Sequence, residues 1–251
     1  MRLIKLDATE STNSFLKELA NNSVLDNFTV AVTNSQTSGR GQMNTSWHSE
    51  PYKNLTFSVF TPLKNLTITH QPYLNFAISL AIYDVLFQFG IPNLSIKWPN
   101  DILSANKKIC GILIETTFSN QKIKNMIVGI GLNVNQEIFS KKISNASSLK
   151  IIMKKDFNLE ILLNKIIERI QFRISLIENG KFTETHNEYH NVLYRREIPT
   201  TFKDKVTNTF FMGKIQGIAS NGKIKIQLDD DSIKEFGLKQ ISFAKAYTYF
   251  L

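Results

Sequence analysis

A single cysteine, Cys110, stands in the 251 residues, so no internal disulfide can form and the chain is not a stapled extracellular scaffold. Long apolar runs are missing as well. The most apolar segment, residues 73–89, is interrupted by Asn75 and Asp84 and is shorter than the roughly 20 apolar residues that span a bilayer. It reads as a buried helix. The N-terminus, MRLIKLDATEST, has no apolar stretch of signal-peptide length and carries acidic residues where one would be apolar. These absences make a cytoplasmic protein without membrane contact the expectation. Glycine is also scarce, 11 in all, so the pair that flanks Arg40 in QTSGRGQ asks for a reason.

What is present describes a globular protein. With 42% hydrophobic and 20% charged residues the chain can bury a sizeable core, and its length suits one large domain plus a small one at about 150 residues per domain. The formal net charge is +9. Its lysines are spread along the chain, which gives a diffuse field and no basic arm. No helix-turn-helix, zinc finger or aromatic RNA-binding strand is evident, so a primary role in nucleic-acid binding is not expected.

Two β-rich runs, FTVAVT at 28–33 and NLTFSVFT at 54–61, bracket the Gly-Arg-Gly stretch, which is therefore a loop between strands. In the second run Leu55, Phe57 and Val59 alternate with Thr56 and Ser58, the pattern of a half-buried strand. Pro72 opens the helix at 73–89 and Gly90-Ile91-Pro92 stops it. LSIKW, the turn WPND and the strand KICGILIETT follow, the last apolar on both faces and so buried. NMIVGIGLNVN at 125–135 is another strand that runs into a polar loop. Between 156 and 179 apolar residues recur at helical spacing, and Gly180 sits at the C′ position. This alternation predicts an α+β fold, one mixed sheet with helices packed against it. From about Glu197 onward short β-runs with turn signals at Asn208 and Ser220-Asn221-Gly222 replace helical periodicity and suggest a small β-barrel.

Three polar constellations carry candidate chemistry, all in loops or at strand ends. Glu10-Ser11-Thr12-Asn13 precedes a short amphipathic helix that starts near Ser14; Ser11 or Thr12 caps it and the remaining groups are free for a ligand. In QTSGRGQ the glycines let backbone N–H groups approach phosphate or carboxylate oxygens, and Arg40 adds a planar cationic fork. An ordinary hairpin loop is the alternative. KWPNDILSANKKICG is more specific: its turn and hairpin place Lys97, Asp101 and Lys108 near one end of the sheet. Simple turn-capping by Asn100 and Asp101, with Lys107 and Lys108 solvated, is its alternative. His186 and His190 stand four apart, a spacing a metal could use, but no HExxH pattern or third ligand accompanies them, and a solvated helix face is expected. Cys110 lies in an apolar strand and reads as a small hydrophobe. No Gly-x-Ser-x-Gly elbow, P-loop or Rossmann fingerprint occurs.

In combination, STN at 11–13, the GRG loop followed by Trp47, KWPND at 97–101, Lys108-x-x-Gly111 and GIGLNVN at 129–135 resemble the biotin protein ligases in order and spacing across nearly the whole chain. The resemblance implies a catalytic domain at 1–196 with the mixed sheet of the biotin/lipoate ligase, class II synthetase-like type, and an SH3-like β-barrel at 197–251. It also implies a two-step reaction. Biotin and ATP, with Mg²⁺, give biotinyl-5′-AMP and pyrophosphate, and a lysine of a biotin carboxyl carrier protein then attacks the mixed anhydride. By match to the family, Ser11, Thr12, Asn13 and Gln36 hold the biotin head group, with Gly39, Arg40, Gly41, Gln42, Lys108 and Gly111 completing the biotin site. Arg40, Trp47, Lys97, Asn100, Asp101 and Asn133 border ATP. Arg40, Lys108 and Asp101 are the expected catalytic groups, Asp101 assisting the incoming lysine or a Mg²⁺ ion; no protein-built metal site is implied. Regulatory members carry an N-terminal DNA-binding domain, for which STN at residue 11 leaves no room. Carrier domains are typically acidic, which gives the +9 charge a use. An exposed sheet edge leaves a homodimer open.

One departure stands out. The family's usual loop is Gly-Arg-Gly-Arg, whereas here Gln42 follows Gly41, a hydrogen-bond donor without charge that should hold the adenylate less strongly. Two rival readings are a lipoate or octanoate ligase of the same superfamily and a non-catalytic binding module. The KWPND and GRG forms favour biotin over the first, and the presence of both Arg40 and Lys108 argues against the second.

Overall fold

The computed structural model describes residues 2–140 and 145–244, and the chain divides into two compact units, Met1–Tyr189 and His190–Leu251. The first is built on a seven-stranded sheet. Its order is β1 (Arg2–Thr9), β2 (Thr29–Gln36), β3 (Leu55–Pro62), β7 (Lys122–Leu132), β6 (Lys107–Ser119), β5 (Asp101–Ser104) and β4 (Leu94–Lys97). Only β1 and β2 run parallel, because the helix α1 (Thr12–Asn22) carries the chain back between them. The other neighbours are antiparallel, so the sheet is mixed, as expected.

Each face of this sheet has its own cover. On one side α1 inserts Leu16 against Ala31, Phe60 and Ile127, closing a small apolar cluster. On the other face Leu55, Phe57, Val59, Val128, Ile130 and Leu132 are buried. The helix α2 (Gln71–Gln88) packs on α4 (Leu159–Glu178) and lies against β4 and β5. Pro72 sits at the start of α2, and ten of its residues are buried, in keeping with a helix covered on nearly all sides. Along α4 the residues Leu162, Leu163, Ile166, Ile167, Ile170, Ile174 and Ile177 form the buried stripe, each contributing about 1.5–3 kcal/mol if fully removed from water. Gly180 follows the Asn179 cap with φ +77°, the left-handed conformation that its lack of a side chain makes easy. A short helix α3 (Leu149–Met153) precedes α4, and α5 (Phe182–Asn191) follows it.

Three elements depart from the sequence expectations. The alternation in β3 predicts a half-buried strand, yet Leu55 through Thr61 are all buried. The polar members are covered because α1 and its neighbours close over them: Ser58 is fully buried beneath Thr12 and Asn13. Conversely, β6 is buried only in its first half, and from Leu113 onward it is partly or fully exposed. His186 and His190 do not form a solvated face. The His186 ring packs against Phe76 and Tyr73, with centroids 5.7 and 6.2 Å away, and His190 accepts the Ile218 N–H on Nε2 at 2.7 Å.

The second unit is a five-stranded antiparallel sheet in the order β11 (Ile233–Phe236), β10 (Ile224–Gln227), β9 (Phe210–Ile218), β8 (Pro199–Asp204), β12 (Ile241–Phe243). Asn208 and Gly222 take left-handed φ values at the turns that the sequence marks. Phe202, Ile215, Ile224, Ile226 and Ile241 form its core, with the Phe202 ring 5.6 Å from Phe211 and 5.3 Å from Phe243. The sequence suggests a β-barrel for this unit; the small antiparallel sheet is present, but among the described residues no pairing joins β11 to β12, so closure into a barrel is not seen.

Candidate active site

Strand register brings the separate motifs into one row. Thr33 pairs with Thr56, Thr56 with Gly131, Gly131 with Gly111, Gly111 with Asp101 and Asp101 with Lys97. Directly paired residues share a face, so KWPND, the Lys-x-x-Gly segment and GIG meet on one side of the sheet. The adjacent row on that face is Ala31, Ser58, Gly129 and Leu113. Small residues, Thr56, Gly131 and Gly111 in one row and Ala31, Ser58 and Gly129 in the other, leave a shallow floor between Leu113 and the charged end at Asp101 and Lys97.

A β-bulge places Lys108 on that floor. Residues three apart on a regular strand point to opposite faces, which would separate Lys108 from Gly111. Here Ile102 pairs with Cys110 and Leu103 with Lys108, so Ile109 is an extra residue in β6 and restores Lys108 to the side of Asp101. Its Nζ lies 2.6 Å from Asp101 Oδ1, and a β-carbon on Gly111 would approach Nζ to 3.3 Å. Asn100 anchors the turn above, its backbone oxygen accepting the Ile112 N–H at 3.1 Å and its Nδ2 donating to the Ile112 carbonyl. Asn75 on α2 donates to the Pro99 carbonyl at 2.6 Å.

At the other end of the floor the STN turn is held by a chain of polar contacts. Ser11 caps α1, accepting the Ser14 N–H on Oγ, so the helix begins two residues before the expected start. Thr12 donates its backbone N–H to Gln36 Oε1 at 2.9 Å. The Ser58 hydroxyl lies 2.6 Å from Thr12 Oγ1 and 2.5 Å from Asn13 Oδ1. Asn13 Nδ2 donates to Glu115 Oε2 at 2.7 Å, and Arg40 Nη2 reaches the same oxygen at 2.9 Å. Gln36, Thr12, Asn13 and Arg40 are therefore joined through Ser58 and Glu115. Neither connector is apparent from the motifs, although Glu115 lies four residues after Gly111 and so falls on the same strand face.

The GRG loop is a hairpin whose glycines serve close approach. Arg40 bridges Ser46, Trp47 N–H donates to Gly39 O at 2.8 Å, and Gly41 N–H donates to Thr45 O at 2.6 Å. The expectation that the loop's N–H groups are free for oxyanions thus fails at Gly41. A β-carbon on Gly39 would lie 2.3 Å from Trp47 O and 2.5 Å from Gln36 Nε2; one on Gly41 would lie 2.5 Å from Thr45 Oγ1. Gln42 opens a short turn in which Met43 takes φ +57°. The hairpin returns Trp47 across the sheet, where its indole rests on Gly131 and Gly111 with Lys108 Nζ 5.6 Å from the ring centroid. Its Nε1 is buried without a partner among the described residues.

Asn133 is buried beyond this row. Its Nδ2 donates to Ser147 O at 3.0 Å and its backbone accepts from Leu149, while Oδ1 has no partner among the described residues. Lys97 occupies the end of the row on β4. Cys110 is fully buried, and burial pushes its thiol well above the ordinary range, in accord with a small hydrophobe. No three His, Cys, Asp or Glu side chains among the described residues cluster as metal ligands, and no helix is long and apolar enough to cross a membrane.

The arrangement can bind an anion at two places, Arg40 and Lys108, over a small-residue floor with an indole beside it. The biotin/lipoate A/B protein ligase family model matches residues 6–133, the span that holds all of these motifs. The chain belongs to this family. The bifunctional ligase/repressor BirA of Bacillus subtilis is 28% identical over 242 residues, covering 95% of this chain and 71% of that protein. The biotin–[acetyl-CoA-carboxylase] ligase of Paracoccus denitrificans is 33% identical over 131 residues, 51% of this chain and 53% of its own. Among solved structures, the biotin protein ligase of Aquifex aeolicus in complex with biotin and ATP superposes with a TM-score of 0.80 at 27% identity. That match covers 98% of this chain and 99% of the other.

Proposed function

We propose that this member of the family is an ATP-dependent biotin protein ligase that acts on a biotin carboxyl carrier protein. The observation that carries the reading is the row in which Lys97, Asp101, Gly111 and Gly131 align, with Lys108 returned to it by the bulge and Trp47 lying over it. In the first step a biotin carboxylate oxygen attacks the α-phosphorus of ATP and pyrophosphate leaves. Both reactants are anionic, so the reaction needs cations aimed at the charge that develops. Lys108 contacts the carboxylate and phosphate oxygens in both steps, and Arg40 joins it from the loop. Ser11, Thr12, Asn13 and Gln36 hold the biotin head group, with the Gly39–Gly41 hairpin, Gln42 and Gly111 along its tail. Trp47, Lys97, Asn100 and Asn133 border the nucleotide.

In the second step a carrier lysine amine attacks the acyl carbon, AMP leaves and the amine loses a proton. Asp101, once its Lys108 partner turns to the ligand, would take that proton or would help to hold Mg²⁺ beside the phosphates. Mg²⁺ is commonly bound by one or two carboxylates plus substrate phosphates, and a lone Asp101 fits that manner of binding, screening phosphate charge. Residues 1–196 would form the catalytic domain and 197–251 the accessory small β-domain, and an acidic carrier surface would complement the chain's positive charge.

Mass spectrometry after incubation with ATP, Mg²⁺ and either biotin or lipoate tests the reading. Biotinyl-AMP alone is expected. Lipoyl-AMP alone would move the assignment to lipoate ligation, and neither product would favour a binding module.

A further inference from the structure

The site contains one acid that the two-step chemistry leaves without a role. Glu115 lies on the same face of β6 as Gly111, and its carboxylate takes two partners from different motifs. Oε2 accepts from Asn13 Nδ2 at 2.7 Å and from Arg40 Nη2 at 2.9 Å, while Oε1 faces Arg40 Nη1 at 3.4 Å. The Arg40 side chain is 44% exposed and that of Glu115 30%, so the pair is weakly held. Lys108 is engaged in the same way by Asp101. Arg40 and Lys108 therefore both rest on carboxylates of the protein itself.

Their anchors are far apart. Asp101 pairs with Gly111, and Gly111 and Glu115 are four residues apart on one strand, so the backbone positions that carry the two carboxylates are separated by about 13 Å along the strand at the usual rise. An adenylation step, on which this inference rests, needs Arg40 and Lys108 on a single patch of charge. Arg40 must therefore leave Glu115 when the nucleotide enters. Asn13 need not move, because its Oδ1 is held independently by Ser58.

We propose that Glu115 is a positioning residue that holds Arg40, and with it the Gly39–Gly41 hairpin, against β6 until a phosphate displaces it. A triphosphate carries more charge than a carboxylate and takes the guanidinium fork by competition. Glu115 keeps its bond to Asn13 throughout, so the head-group end of the site stays set while the loop end changes partner. Substrate affinity is consequently divided: the nucleotide's triphosphate works against Glu115, whereas the biotin head group relies on the Asn13 contact that Glu115 keeps.

Arg40 is also a trypsin site, which gives a direct readout. Glu115→Gln keeps the shape and an oxygen for Asn13 but removes the charge. In the ligand-free protein its cleavage after Arg40 should be about fivefold faster than in the wild type, the effect of losing one exposed ion pair. The KM for ATP should fall by about the same factor while the biotin KM moves by less than twofold. A merely structural role would raise both KM values and lower neither. Glu115→Ala should show the fast cleavage and in addition raise the biotin KM, since Asn13 Nδ2 loses its nearer acceptor and keeps only the Leu113 carbonyl at 3.5 Å. Salt provides a check that needs no folded variant: raising it should speed wild-type cleavage toward that of Glu115→Gln and leave the variant nearly unaffected. Equal ligand-free cleavage of wild type and Glu115→Gln, or an ATP KM that is unchanged or higher, would overturn the proposal. If the wild type forms no acyl-AMP at all, the ligase reading fails, and the cleavage comparison still decides whether Glu115 holds the loop.

Discussion

Trp47 rests on Gly131 so closely that a β-carbon on the glycine would lie 2.2 Å from the indole Cε2. The paired glycine, Gly111, would bring its own β-carbon to 3.1 Å from Cζ3. Two glycines facing each other across β6 and β7 thus form the seat of one aromatic ring. Gly131→Ala should expel the indole, with a stability loss of about 1–3 kcal/mol from overpacking and impaired adenylate formation. Tryptophan emission and urea denaturation would read this. An unshifted spectrum with unchanged stability would mean that the ring has room to spare.

On the opposite side of the sheet the helices are tied by a buried guanidinium. Arg173 is 4% exposed and lies within 2.6 Å of Asp84 on α2 and 2.5 Å of Glu188 on α5. Removing it leaves Asp84 partly buried with the more exposed Arg169 as its one ion-pair partner among the described residues. Arg173→Ala should therefore cost about 3–5 kcal/mol, and Arg169→Ala distinctly less. Chemical denaturation of the two variants decides it; equal losses would show that burial does not set the difference.

Much of this was legible in the sequence, and the exceptions have physical causes. The α4 stripe and the Gly180 stop follow from helical periodicity, and the motifs themselves can be read as residue types. What brings them together cannot. Strand parity alone puts Lys108 and Gly111 on opposite faces, and only the extra residue at Ile109 reverses that. Ser58 looks like the wet side of an alternating strand because nothing local announces that α1 will cover it. Glu115 sits within an apolar-looking run, so its two partners, distant in sequence, appear only once β6 is paired and the loop is folded back. The GRG glycines read as donors to a ligand, whereas Gly41 donates within its own hairpin.

Burial should make Cys110 chemically silent. Desolvation pushes its thiol up and outweighs the opposing influence of Lys108, so the reactive thiolate is suppressed in the folded state. At about pH 8, close to the pKa of an ordinary thiol, the native protein should not react with a thiol reagent, and denaturant should release one equivalent at once. Rapid labelling of the native protein would contradict the burial.

If the proposed adenylate forms, Gln42 should shorten the time it stays bound. It stands where the family's usual loop has a second arginine, and an uncharged amide makes weaker hydrogen bonds to phosphate than a guanidinium does. Gln42→Arg should slow biotinyl-AMP dissociation by about tenfold, measurable by trapping released intermediate. An unchanged rate would remove any functional meaning from the substitution.

The net charge of +9 gives the last test, because it separates encounter from binding in the site. Exposed charges are screened beyond a distance of about 10 Å at 0.1 M salt, whereas groups held in a partly buried site are screened much less. If the positive field steers an acidic carrier, raising salt acts on the carrier at long range and on biotin only locally. The KM for the carrier should then rise by about tenfold between low and high salt, while that for biotin changes by about twofold or less. Steady-state labelling at several ionic strengths, with each substrate varied in turn, measures both. Parallel changes would place the salt effect on the site or on the fold, and the basic composition would have no part in choosing the partner.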